Sequence, residues 1–131
     1  MSGIVVIMLA GLQLKHFAAD YMLQTRWMIA GKRSLRSPGG YAHAGVHVLG
    51  SAPVLMLAGP AWQTLLLLLC GEFLVHYALD YAKVHYSAST SSHDQPGRFW
   101  ALHGFDQMLH QLTYAAMIYA VLLTGGAGGL D

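Results

Sequence analysis

The chain has 131 residues, of which 55% are hydrophobic and only 10% charged, with a formal net charge of +1 and one cysteine. A soluble domain carries about 25% charged residues. The composition therefore excludes a disordered chain, a nucleic-acid binder built on a basic face and a disulfide scaffold. With a mean hydropathy of +0.44, it leaves a small polytopic membrane protein of one domain. Cys70 lies in an apolar run without an intrachain partner, and is expected to be a buried packing residue.

A membrane span needs about 20 mostly apolar residues. Four segments qualify, at about 3–24, 41–58, 61–84 and 99–124. The predicted fold is all-α: a four-transmembrane-helix bundle over residues 1–124, made of two parallel, pseudo-repeated helical hairpins. Length rather than periodicity carries this reading, because Leu65 to Leu69 shows no amphipathic pattern. The first segment has the length of a signal-peptide core. No basic residue precedes it, and Lys15 and His16 follow where small residues are wanted, so it reads as a retained helix.

The joints agree with this division. Ser34 to Gly40 reads as a polar loop, and Gly59-Pro60 permits only a tight turn between antiparallel neighbours. Ser87 to Gly97 reads as a second polar loop, and residues 125–131 as a flexible Gly-rich tail. Arg26, Lys32, Arg33 and Arg36 follow the first span, and Lys83 and Arg98 flank the second polar loop. Basic short loops face the cytoplasm, so both termini are expected outside an inner, cytoplasmic membrane crossed several times. Trp27 and Trp100 would anchor the inner interface and Trp62 the outer one.

The ionisable residues inside the spans form a pattern. The first span carries His16, Asp20 and Gln24. The second carries His43 and His47, and the third Glu72, His76, Asp80 and Lys83. The fourth carries His103, Asp106, Gln107 and His110. Residues four apart share one helix face. His16-Phe17-Ala18-Ala19-Asp20-Tyr21 also resembles His76-Tyr77-Ala78-Leu79-Asp80-Tyr81, and the pair His43, His47 corresponds loosely to Asp106, His110. At 1.5 Å per residue, Asp20, His47, His76, Asp80 and Asp106 fall about 6–12 Å from the cytoplasmic ends, with His16 and His110 at about 15–18 Å. Four helices thus bring polar pairs to one depth.

Charged groups in lipid are costly and face a bundle interior. Imidazole with carboxylate suits a divalent metal, zinc first, with manganese or iron as alternatives. His16, Asp20, His47, His76, Asp80, Asp106 and His110 are enough ligands for one or two ions. Glu72 or Asp106 is expected to move a proton, and Gln24, Lys83 and Gln107 to support bound groups from behind. His43 is expected at the interface and His103 near a helix start, as snorkelling or capping residues. His85 and His93 belong to a solvated loop, Lys15 snorkels or offsets a carboxylate, and Tyr21, Tyr81 and Tyr114 pack.

Four ordered motifs resemble a known family. They are His16-x3-Asp20-x3-Gln24-Thr25-x-Trp27-Met28, His47, His76-x3-Asp80-Tyr81-x-Lys83, and Phe105-Asp106-Gln107-x2-His110. Together they look like the bacterial and phage membrane proteins of domain of unknown function 3307. That resemblance covers nearly the whole chain and implies a small integral membrane protein. The pattern is more distantly similar to YdjM-type membrane-bound metal-dependent hydrolases, which implies hydrolysis. Ala30-Gly31 departs from the more polar approach expected after Met28.

Four functions follow as expectations. The first is a metal-dependent hydrolase acting in the lipid bilayer on a lipid-like or peptide substrate. The second is a non-enzymatic metal or proton pathway, working as a homo-oligomer. The third is a b-type haem electron carrier using His16, His47, His76 and His110. The fourth is a structural membrane subunit whose polar core holds no metal.

Overall fold

The computed structural model describes residues 2–125, which are helical throughout apart from short turns. Helix α1, Ser2–Phe17, runs into a π-helical turn, Ala18–Met22. The Leu23 amide donates to the Ala18 carbonyl, five residues back, at 2.9 Å. This wider turn inserts an extra residue and re-aims Asp20. Thr25 then opens a short helix α2, Arg26–Gly31, by accepting from the Met28 amide at 3.3 Å. Hydroxyl capping of this kind satisfies a free helix N–H.

Helix α3 is Pro38–Met56, α4 is Trp62–Tyr86 and α5 is Pro96–Leu123. Pro38 and Pro96 both stand in a first turn, where the missing N–H costs nothing. The sequence expectation is corrected here. Pro38-Gly39-Gly40 and Pro96-Gly97 begin helices rather than close loops. The first long helix ends at the π-turn, and the segment after it contains α2.

Close approach explains the glycines. A Cβ on Gly31 would meet the Gly39 Cα at 2.6 Å, and one on Gly39 would meet the Trp27 carbonyl oxygen at 2.5 Å. Only residues without a side chain let α2 press this tightly on α3. Gly11, whose Cβ would lie 2.9 Å from Val54, does the same between α1 and α3. Small residues allow such backbone approach in membrane bundles.

The four long helices close a ring: α1 packs on α3, α3 on α4, α4 on α5 and α5 on α1, with α2 against α3. By length and composition, two stretches among the described residues, Gly3–Met22 and Trp62–Tyr86, are long and apolar enough to cross a membrane. The ring interior has two layers. Met8, Leu12, Leu55, Ala58, Met117, Ile118 and Val121 fill one end. The other buries His16, His43, His47, His76, Asp80, Asp106 and His110.

Cys70 is exposed, against expectation. Glu72, His76 and Asp80 define the inward stripe of α4. A residue two before Glu72 lies about 200° round the helix, so it points outward. The Gly-rich tail expected at 125–131 lies, beyond Gly125, outside the described residues.

Candidate metal centre

The polar layer sits where the two diagonals of the ring cross. Along one diagonal, Lys15 of α1 meets Glu72 of α4 at 2.5 Å. Along the other, the Tyr114 hydroxyl of α5 lies 3.4 Å from His47 Nδ1 of α3. Around this crossing two sets of side chains converge. Asp20, His43, His47 and His76 form one, and His76, Asp80 and His110 the other. In each set, one ligand atom per residue lies within 4.8 Å of all the others. His76 belongs to both.

The first set is built around Asp20. His47 Nε2 lies 2.9 Å from Asp20 Oδ1, and His43 Nε2 3.2 Å from the same atom. His16 Nε2 lies 3.2 Å from Oδ2. Gln24 Nε2 donates to the Asp20 backbone carbonyl at 2.9 Å, which ties down the π-turn. In the second set, Asp80 Oδ2 is 3.4 Å from both His76 Nε2 and His43 Nε2. Neither ring nitrogen of His43 or of His76 has a hydrogen-bond partner among the described residues, and neither has His110 Nε2. Buried polar atoms are normally satisfied. Here, among the described residues, five imidazole nitrogens lack a partner, and two of them, His43 Nε2 and His76 Nε2, lie within 3.4 Å of carboxylate oxygens. Such a donor set could hold a cation.

Charge sharpens the point. Glu72 is paired with Lys15, Asp80 with Lys32 at 2.7 Å, and Asp106 with Lys83 at 2.6 Å. Asp20 alone of these carboxylates forms no ion pair with a lysine or arginine among the described residues. Its partners are three imidazoles. With those rings neutral, one negative charge stays uncompensated in a largely buried site. A divalent cation among Asp20, His43, His47 and His76 would answer that charge and one unpartnered nitrogen each of His43 and His76. The donor chemistry fits a zinc-type ion: three imidazoles and one carboxylate, the number a tetrahedral site needs.

The structure gathers five of the seven expected ligands into these sets: Asp20, His47, His76, Asp80 and His110. His16 and Asp106 fall outside them. His16 is engaged by the Tyr114 hydroxyl at 2.8 Å and by Gln107 Oε1 at 3.1 Å. Asp106 Oδ2 accepts from Lys83 and from Gln107 Nε2 at 3.1 Å, while its Oδ1 has no hydrogen-bond partner. Glu72 accepts from Ser51 at 2.8 Å as well as from Lys15.

Several sequence readings are corrected. His43 is not a snorkelling residue: it is wholly buried and belongs to the first set. Its spacing of four from His47 carried that signal. Of the two readings of Lys15, the second holds: it offsets a carboxylate, Glu72, inside the bundle. Tyr114 is more than packing, since it bridges His16 and His47. Lys32 stands next to Asp80 although it reads as a loop residue. Nothing local in the sequence marks Lys32 or Ser51, because both act across helices. His85 and His93 are exposed, and His103 lies 3.5 Å from Lys83 Nζ.

A family model described as "Protein of unknown function (DUF3307)" matches residues 7–127. No curated protein and no solved structure matches the chain, so the likeness to YdjM-type hydrolases has no counterpart among the comparisons.

Proposed function

The chain belongs to the DUF3307 family, and we propose that it is an integral-membrane metal-binding protein acting as a metal-dependent hydrolase near the cytoplasmic leaflet. The observation that carries the metal reading is the Asp20 carboxylate, which has no lysine or arginine partner among the described residues and shares one donor set with His47 and with His43 and His76, whose ring nitrogens are unpartnered. Asp20, His43, His47 and His76 would hold the ion. When bound, it would supply Lewis acidity and lower the pKa of a bound water.

Inverted packing supports the membrane reading. Val6, Leu14, Leu67 and Leu74 are each more than 60% exposed, while Glu72, His76 and His110 are 2% exposed. Ionisable groups in membrane bundles face inward and mark functional pathways. All four long helices would cross the bilayer, with the basic segments around α2 and between α4 and α5 on the cytoplasmic side.

The chain's own residues suit hydrolysis. Lys83 and Gln107 hold Asp106 by one oxygen, which leaves Oδ1 free to accept a proton. Asp106 also touches the second donor set, 3.7 Å from His110 Nδ1. Glu72 is held in the same way, with Ser51 and Lys15 sharing its Oε1 and Oε2 unpartnered, but it is not a member of either donor set. A conduit is disfavoured: past Glu72 the interior is closed by Met8, Leu12, Leu55, Met117 and Val121, and Gln111 faces outward. A bis-histidine haem is disfavoured too. The His47 and His76 rings lie 3.7 Å apart, and His76 and His110 4.5 Å, with no gap for a macrocycle.

Elemental analysis tests the metal reading on protein purified in neutral detergent without metal-affinity steps. The expected result is one equivalent of zinc, manganese or iron, lost in Asp20→Ala. A folded sample that contains none and takes none up on reconstitution would make the polar layer structural.

A further inference from the structure

The basic residues divide into two kinds. All three lysines of the chain pair with carboxylates of the bundle, Glu72, Asp80 and Asp106. Arg26, Arg33, Arg36 and Arg98 are exposed and form no ion pair and no side-chain hydrogen bond among the described residues. Two of these arginines share one hollow. Arg26, Ile29, Ala30 and Arg33 line an open depression of about 350 Å³ on α2. The Lys32 and Arg33 amides donate to the Ile29 and Ala30 carbonyls at 3.3 and 3.4 Å. The backbone therefore keeps turning past Gly31 and brings Arg33 round to the Arg26 side. The other side of α2 is anchored, by the contact of Gly31 with Gly39 and by Lys32 on Asp80 at 2.7 Å. The hollow thus stands preformed on a fixed segment, which lowers the cost of binding.

We propose that this hollow binds the head group of an anionic phospholipid, its phosphodiester between Arg26 and Arg33 and its chains over Ile29. Charge selects the anion. Residues 21–40 contain four basic residues and no Asp or Glu, so the balancing charge comes from outside the segment. A guanidinium offers its donors in a planar fork that matches phosphate. A phosphodiester monoanion needs only to accept, so both forks are met and no donor is asked of the ligand. A zwitterionic head group would set its own cation beside two unpaired guanidinium groups.

Depth and surroundings select a lipid rather than a soluble anion. The apolar stretch Gly3–Met22 ends four residues before Arg26. Where that stretch crosses a bilayer, α2 stands at the level of the head groups, and basic groups there attract anionic lipid. Met22, Leu23, Trp27 and Ile29 are each at least half exposed around the hollow. Acyl chains would cover this apolar surface, and a free phosphate would not. The inference rests on the membrane reading of the chain and is independent of the metal and of hydrolysis.

Membranes holding the full-length protein are first washed with alkaline carbonate. The protein is then taken into maltoside micelles doped with equal amounts of phosphatidylglycerol and phosphatidylcholine, and the lipids it retains are counted by native mass spectrometry. Retention of one phosphatidylglycerol in preference to phosphatidylcholine is expected. Arg26→Gln and Arg33→Gln should each cut that preference about ten-fold, the value of a charge-assisted hydrogen bond. Arg98→Gln removes the same charge away from the hollow and should leave the preference unchanged. Equal retention of the two lipids by the parent overturns the proposal. So does a preference that survives in Arg26→Gln/Arg33→Gln, or one that falls as far in Arg98→Gln. Displacement of the lipid by an equal concentration of glycerol phosphate makes the hollow a soluble-anion site and overturns it too. Protein released by the carbonate wash refutes the membrane reading and the lipid site together. Protein that resists the wash and shows no lipid preference refutes the hollow alone.

Discussion

Removing one partner of the diagonal Lys15–Glu72 pair should cost far more than removing both. The Lys15 side chain is 8% exposed and that of Glu72 1%. Glu72→Leu leaves the ammonium buried, with only the His47 carbonyl and Nδ1 at 3.3 Å and the Tyr114 ring at 4.3 Å to hold it. An uncompensated buried charge of this kind costs about 3–5 kcal/mol. Lys15→Met alone strands the carboxylate, with Ser51 as its one remaining donor, and should cost a similar amount. In Lys15→Met/Glu72→Leu no charge is stranded, and apolar replacement of a buried pair is often neutral. The double variant should therefore stand within about 2 kcal/mol of the parent. Equilibrium unfolding in mixed micelles reads all four proteins of the cycle. A double variant that loses as much as both single variants together would refute the pairing as the reason for burial.

Other outcomes follow from the two donor sets and from the glycine contact. His43→Ala should lose the bound ion in elemental analysis while His110→Ala keeps it, because His110 is outside the Asp20 set. Lys32→Gln should raise the metal content from one equivalent to two, since it frees Asp80 from the ammonium at 2.7 Å and opens the set with His76 and His110. An unchanged content would mean that His76 cannot serve two ions. Gly31→Ala should destabilise by about 1–3 kcal/mol, an overpacking cost, because its Cβ meets α3 backbone at 2.6 Å; unchanged unfolding would show that α2 can move away.

The sequence marks helical content and the depth of the polar layer, because a His-x3-Asp spacing and a charge in an apolar run are local signals. Five of the seven expected ligands converge for that reason. What it hides is nonlocal. The π-turn rests on one hydrogen bond from Leu23 to Ala18, and nothing in Ala18-Ala19-Asp20-Tyr21-Met22 demands it. Pro38-Gly39-Gly40 hides the start of α3, because it is a loop-like string whose glycines answer the approach of α2. A helix beginning at Tyr41 sets His43 at the interface; α3 begins at Pro38, one turn earlier, and carries His43 inside.

The three lysine pairs explain how an almost featureless helix finds its orientation. Leu65 to Leu69 gives α4 no preferred face, so apolar packing alone would let it turn about its axis. Lys15–Glu72 ties it to α1, Lys32–Asp80 to the segment after α2, and Lys83–Asp106 to α5. Every pair includes a residue of α4. Buried ion pairs add little net stability, but their loss of partners on rotation is costly, so they select one register. That rotation is what aims His76 at both donor sets. Asp20, on the π-turn of the first helix, takes no part in fixing α4. It is the one carboxylate of the layer that can give its charge to a bound cation without unlocking the bundle.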